Sequence, residues 1–285
     1  MLVDLLYPGQ GQVTRLIRRG YLYVVVQLVA IGLLLTPPAP RAGAQSEAPW
    51  EAIGYSQAGQ PIVVYHVGEG KARVLVLGGQ HGGPEENTVR LVRMLLAHFV
   101  ERSSDVPPGV GLDLMPVANP DGLAAGTRQY LSGVDPNRNW GGPEWRADAF
   151  DSNGRFRAGL GGPEPFSEQE TRALADWILA TRPALVINYH SAGGFMFGGR
   201  EGLGGELAAA FAGASAYPRP NPGGGQSALS YRVTGSMNVW LREIDVPGIL
   251  VELTTPYDPE FERNMAGVRA VLVRLSELAS PSLLG

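Results

Sequence analysis

Apolar and polar positions fall into two alternating periods along the chain. Arg73 to Gly79 is a nearly continuous apolar run that stops at Gly78-Gly79, the pattern of a strand covered on both faces. From Glu85 to Val100 the apolar residues are Val89, Leu91, Val92, Leu95, Leu96 and Phe99. Their spacing of three and four predicts an amphipathic helix, and Pro84 suits its first turn. Val63–Val67 and Val110–Val117 read as further strands. The second leads into Asn119-Pro120-Asp121-Gly122, a turn signal. Residues 122–166 are rich in Gly, Pro and Asn without periodicity, and a loop of that length in a compact domain usually carries function. Ser167-Glu168-Gln169-Glu170 has the S-x-x-E form of a capping box opening a helix to about Ala180. Ala184–Tyr189 is a strand with His190 at its C-terminal end. A short helix at Glu206–Ala212, a helix at Gly235–Ile244, a strand at Val246–Leu253 and a closing helix at Asp258–Ala279 complete the pattern. Strands alternating with helices predict an α/β fold, with a mixed, largely parallel sheet covered by helices on both faces.

The first 44 residues break from that pattern. Arg15, Arg18 and Arg19 precede an almost purely apolar stretch, Tyr21 to Leu35, followed by a Pro-rich break and Ala42-Gly43-Ala44. This is the arrangement of a secretory signal peptide. Its apolar stretch of about 15 residues is short against the roughly 20 that span a membrane, and an uncleaved N-terminal anchor is the alternative. The expected organisation is a signal peptide or anchor over 1–44 and one catalytic-sized domain over 45–285, exported to the cell envelope or beyond, with membrane contact only through the N-terminal segment if it is retained.

The formal charge is −4, and leaving out residues 1–44, with their four arginines and one aspartate, makes it −7. No basic patch invites nucleic acid. The chain has no cysteine, so neither a disulfide nor a thiol nucleophile nor a thiolate ligand is available. The 39 glycines and 23 prolines place functional groups on loops.

Four histidines remain as candidates for metal or proton chemistry. His66 lies within a strand and His98 late on a helix, with no carboxylate close in sequence, so packing or surface roles are expected. His81 and His190 each follow a buried-type strand, where ligands of open α/β sheets bind. With Glu85 they would make a three-residue zinc site with an open fourth position. Glu85 and Glu86 would also favour the helix N-terminus through its dipole, whatever else they do.

A series of motifs carries a family resemblance: GGQHGGPE at 78–85, NPDG at 119–122, Thr127-Arg128, GVDPNRNW at 133–140, PFSEQET at 165–171, NYHSAG at 188–193, YRVTGSMNVW at 231–240 and VEL at 251–253. In that order they resemble the zinc carboxypeptidases of the carboxypeptidase A type. The resemblance implies one zinc ion held by His81, Glu85 and His190. It implies Glu252 as general base and acid and Arg128 as the group facing the developing oxyanion. Asn137 and Arg138 would grip the substrate's terminal carboxylate, and Tyr231 would close over substrate. Asn238 lies near the position that sets side-chain preference. The family's H-x-x-E spacing is lengthened here, because Pro84 stands third after His81; Glu85 is the expected ligand and Glu86 the alternative.

The expected activity is hydrolysis of a peptide bond next to a residue with a free carboxylate, on a peptide substrate from proteins or from the cell wall. Two other readings stay open: an amidase or deacylase of related fold acting on N-acyl amino acids or cell-wall peptides, and an inactive relative serving as a binding module.

Overall fold

The computed structural model describes residues 48–220 and 231–279. The expected signal or anchor segment, 1–44, lies outside these residues. A seven-stranded mixed sheet organises the rest, in the order β1-β2-β4-β3-β7-β9-β8. Its strands are β1 (Trp50–Tyr55), β2 (Pro61–Val67), β3 (Ala72–Leu77), β4 (Val110–Met115), β7 (Leu185–Ser191), β8 (Phe195–Gly198) and β9 (Gly248–Leu253). The four central strands, β4, β3, β7 and β9, run parallel. The margins are antiparallel: β1 and β2 on one side, β8 on the other. A separate two-stranded hairpin, β5 (Ala149–Phe150) and β6 (Phe156–Arg157), sits inside the expected long loop.

The helices are α1 (Glu86–Glu101), α2 (Pro120–Ala125), α3 (Gln169–Thr181), α4 (Gly202–Ser215), α5 (Met237–Glu243) and α6 (Phe261–Ala279). The period-two alternation of the central strands divides the core in two. Val74, Val76, Ile187, Ile249 and Val251 pack with Leu91, Leu95 and Phe99 of α1, Phe211 of α4 and Leu272 of α6. Leu75, Leu77 and Val186 pack with Leu174 and Ile178 of α3 and Trp240 of α5. Both sheet faces are therefore covered, which is why the central strands read as apolar runs.

Several expected boundaries shift, each for a local reason. The turn at 119–122 winds into the short helix α2, because the Asn119 side chain accepts a hydrogen bond from the Gly122 N–H at 2.9 Å and Gly126 closes the other end at φ 68°. The capping box at Ser167 does not form. Glu170 turns to the Gln57 N–H at 2.9 Å, Ser167 N–H bonds Glu164 O, and the Glu168 N–H at the helix entry is met by Asn139 Oδ1 at 3.2 Å. The closing helix begins at Phe261, since Asp258 and Glu260 spend their backbone groups on a loop whose Thr254 N–H and hydroxyl are bonded by the Glu260 carboxylate. Glu206–Ala212 proves to be the middle of the longer α4.

His66 and His98 do have carboxylate partners, the first brought by sheet pairing and the second standing only seven residues on. His66 pairs with Asp113 at 2.7 Å across β2 and β4, where they are register partners. His98 pairs with Asp105 at 2.7 Å.

The topology places one crevice at the carboxyl ends of the parallel strands. From β3 the chain moves to β4 on one side and returns to β7 on the other, so β3 and β7 diverge at a switch point. Helix α1 approaches β3 so closely that a Cβ on Gly78 would lie 2.5 Å from the Thr88 carbonyl oxygen. Gly78→Ala should lower the unfolding free energy by about 1–3 kcal/mol in urea titrations. A change below about 0.5 kcal/mol would mean that the helix can retreat without loss.

Candidate metal centre

The segment after β3 is pinned before it reaches the site. Gly79 adopts φ 60° and its N–H bonds the Thr88 hydroxyl at 2.9 Å. At Gly82 the chain runs against another backbone, where a Cβ would lie 2.1 Å from the Gly122 carbonyl carbon. A single 3-10 turn, Gly83–Glu85, with Pro84 in it, then feeds α1. This turn absorbs the extra residue between His81 and the carboxylate. It turns Glu85 inward, 3% exposed, and leaves Glu86 on the surface.

His81, Glu85 and His190 converge. Glu85 Oε1 is 2.7 Å from His81 Nδ1, Glu85 Oε2 is 3.1 Å from His190 Nδ1, and the two Nδ1 atoms are 3.1 Å apart. One donor atom from each lies within 4.8 Å of the others, and all three residues are buried. His81 Nε2 donates to Asp135 Oδ1 at 3.1 Å, which leaves the Nδ1 lone pair directed into the cluster. Two imidazole nitrogens and a carboxylate facing one another out of water need a cation between them. Tetrahedral zinc with ordinary Zn–N lengths sets its ligand nitrogens roughly 3.3 Å apart, close to the separation observed. His190 Nε2 lies 3.0 Å from Asn188 Nδ2, while Asn188 Oδ1 is buried without a hydrogen-bond partner. The donor set therefore fits zinc.

Arg128 joins the cluster from the loop after α2. Its NH1 donates to Glu85 Oε1 at 2.7 Å and its Nε to Asp135 Oδ2 at 2.9 Å. Its NH2 group makes no hydrogen bond among the described residues. Burial opposes the charge on Arg128, but the Asp135 and Glu85 carboxylates outweigh it and hold the guanidinium protonated beyond its usual range. For Asp135, burial raises the pKa, and Arg128 and His81 more than reverse this and hold it well below the carboxylate range. Glu85 is likewise raised by burial and brought well down by His81 and His190.

Glu252 arrives on β9. In the parallel β7–β9 pairing it is the register partner of His190, so the two side chains leave the same face of neighbouring strands. Burial pushes its carboxyl up to about 7, against the opposing pull of His190; Glu85 adds to the rise and Arg128 counters it.

Asn137 and Arg138 lie one turn beyond Asp135. Asn137 Oδ1 accepts the Met237 N–H at 3.0 Å. Arg138 is 2% exposed and donates only to main-chain carbonyls, Phe150 O at 3.0 Å and Asn137 O at 2.8 Å. Among the described residues no carboxylate comes within ion-pair distance of it. Tyr231 packs against the hairpin, 6.4 Å from the Phe150 ring, and no hydrogen bond joins it to the metal cluster among the described residues. Asn238 is half-buried on α5, with its Oδ1 lacking a partner.

Asp135 and Asn188 were not singled out from the sequence. Asp135 stands in an Asp-Pro-Asn turn, and its carboxylate also accepts the Asn137 N–H at 2.8 Å, so a turn role alone accounts for its residue type. Only the fold reveals that the same carboxylate faces His81 and Arg128.

The protein-family profile described as zinc carboxypeptidase matches residues 47–198. Carboxypeptidase B of Astacus astacus is 30% identical over 164 residues, covering 50% of this chain and 53% of that enzyme. Murein peptide amidase A of Escherichia coli K12 is 30% identical over 166 residues, covering 55% of this chain and 65% of that protein. The matched segments thus span about half to two thirds of these relatives. Among solved structures, the murein-tripeptide amidase of Escherichia coli O157 superposes with a TM-score of 0.59 at 24% identity, covering 86% of this chain and 98% of that one. Carboxypeptidase A of Helicoverpa armigera superposes with a TM-score of 0.60 at 20% identity, covering 82% and 68%. The profile spans more than half of the sequence, and the chain belongs to the zinc carboxypeptidase family.

Proposed function

We propose that the protein is a zinc-dependent hydrolase that cleaves an amide bond next to a residue bearing a free carboxylate. The observation that carries this reading is the β7–β9 register. It sets a carboxyl group titrating near 7, Glu252, beside a buried His–Glu–His donor set. Zinc, when bound, supplies Lewis acidity and makes water a stronger acid at neutral pH. Glu252 takes a proton from the attacking water on its carboxylate oxygen and returns it to the leaving nitrogen. Arg128, anchored through NH1 and Nε, presents NH2 to the negative charge that develops on the carbonyl oxygen. Arg138 supplies a planar fork for the terminal carboxylate, Asn137 a carboxamide N–H beside it, and Tyr231 a cover on the hairpin side. A buried guanidinium without an acidic partner supports that assignment.

The similarity to the murein peptide amidases supports a peptide derived from the cell wall as substrate. The similarity to the crayfish carboxypeptidase supports a protein C-terminus. A deacylase acting on N-acyl amino acids is the competing reading. Rates on a dipeptide with a free carboxylate, its amidated form, a cell-wall peptide and an N-acyl amino acid separate them, and hydrolysis of the N-acyl amino acid alone would sink the peptidase reading. Export belongs to the same proposal and rests on the pattern of residues 1–44; N-terminal sequencing of the protein recovered from the cell envelope tests it.

Glu252→Gln should keep zinc but lose about 10²–10⁴-fold in kcat; near-normal turnover would remove Glu252 from proton transfer. The base works as the carboxylate, so kcat/KM should rise with pH and level off above the Glu252 pKa. Burial, opposed by His190, puts that pKa at about 7, and a bound cation favours the carboxylate further, so the acid limb should have its midpoint at or below that value. A profile flat through this range would contradict the assignment. Asp135→Asn should weaken zinc retention by about 10–100-fold in chelator competition; unchanged retention would confine Asp135 to its turn.

A further inference from the structure

Asn87 is the second residue of α1 and 1% exposed. Its carboxamide does not cap its own helix. The Nδ2 group donates to two main-chain carbonyls of the loop after β9, Thr255 O at 2.7 Å and Asp258 O at 3.1 Å. Its Oδ1 accepts from the Ser191 hydroxyl at 2.9 Å. Both amide protons are thus used, and every partner is more than 100 residues away in sequence.

The three elements joined here are those that carry the site. Asn87 stands two residues after Glu85 on α1. Ser191 follows His190 on β7, and its own N–H bonds Glu85 Oε2 at 3.2 Å. Thr255 is three residues beyond Glu252. We propose that Asn87 is a positioning residue: its carboxamide holds the exit of β9, and with it the Glu252 carboxylate, at a set distance from the metal-binding side chains. Resting as it does on the proposed role of Glu252, this inference adds what keeps that base in place.

The last residues of β9 are also bonded by the segment after β7, with Gly193 N–H to Leu253 O at 2.9 Å and Gly194 N–H to Glu252 O at 3.0 Å, but two ties on the loop beyond are of a different kind from that of Asn87. Glu260 bonds Thr254 from within the same segment, and Arg90 reaches Tyr257 O at the surface. Neither is a buried link between the loop and both zinc-binding elements. Packing alone would be served by an apolar side chain of the same volume, whereas a buried carboxamide is unfavourable unless its hydrogen bonds are made. Because the loop partners are carbonyl groups, Asn87 constrains the path of the backbone whatever the loop's side chains. A shift of about 1 Å in a reacting group can cost roughly a hundredfold in rate.

The test compares zinc-loaded wild type with Asn87→Leu, which keeps the branched shape at a larger volume and removes the donors, and Asn87→Ala, which guards against misfit of the larger side chain. Three quantities are read: kcat and KM on a peptide with a free carboxylate, bound zinc per chain, and amide hydrogen exchange in the zinc-free protein. The expected result is a kcat about 10–100-fold lower with KM within about twofold, zinc retained, and faster exchange confined to residues 253–258. Unchanged kcat, a change in KM only, zinc loss matching the loss of rate, or faster exchange throughout the protein would each overturn the proposal. If wild type itself hydrolyses nothing, the functional reading fails, while the exchange data still decide whether Asn87 holds the loop.

Discussion

Everything at the site follows from one electrostatic constraint: two imidazole nitrogens and a carboxylate are held against one another with almost no access to water. Such a group is costly to bury unless positive charge balances it. Around it the protein places Arg128 and Asp135 as a linked pair, so that Arg128 bridges the Glu85 and Asp135 carboxylates and Asp135 faces His81. Asp135 is the pivot. One carboxylate orients His81, anchors Arg128 and closes the turn that presents Asn137 and Arg138. The His–Glu–His cluster and the turn carrying Asn137 and Arg138 thus share one carboxylate.

The β7–β9 register supplies the remaining term. Sheet pairing puts the Glu252 carboxyl beside His190 with a precision that a loop would not provide, and burial then lifts its pKa toward neutrality. Glu85 lies in the same crevice, yet its pKa is driven the other way by the two histidines. Two carboxyl groups a short distance apart thereby have their pKa values pushed in opposite directions, which suits one to bind a cation and the other to exchange a proton.

Much of this was legible in the sequence, and the parts that were not share a physical reason. The apolar run of β3 and the three-and-four spacing of α1 depend on periodicity, and they appear where that pattern puts them. His81 and His190 were conspicuous because each ends a buried strand. Asp135 and Asn188 were not, since a turn aspartate and a strand asparagine look ordinary until the fold shows what faces them. The capping box at Ser167 failed because tertiary partners, Asn139 and Gln57, outcompeted the local one. The strand β8 and the hairpin β5–β6 are too short, at four and two residues per strand, for alternation to mark them. His66 found its carboxylate through a strand pairing that sequence distance concealed, whereas the partner of His98 lies only seven residues on, past the end of its helix.

His81 and His190 are separated by 109 residues, and they meet because β3, which His81 follows, pairs with β7, which carries His190. A growing chain that has released only His81 and Glu85 holds two of the donor residues and no cluster. The cluster closes when β7 docks, and Glu252 joins it when β9 adds its strand. Metal acquisition is therefore coupled to completion of the sheet. A partly assembled chain lacks this donor geometry altogether.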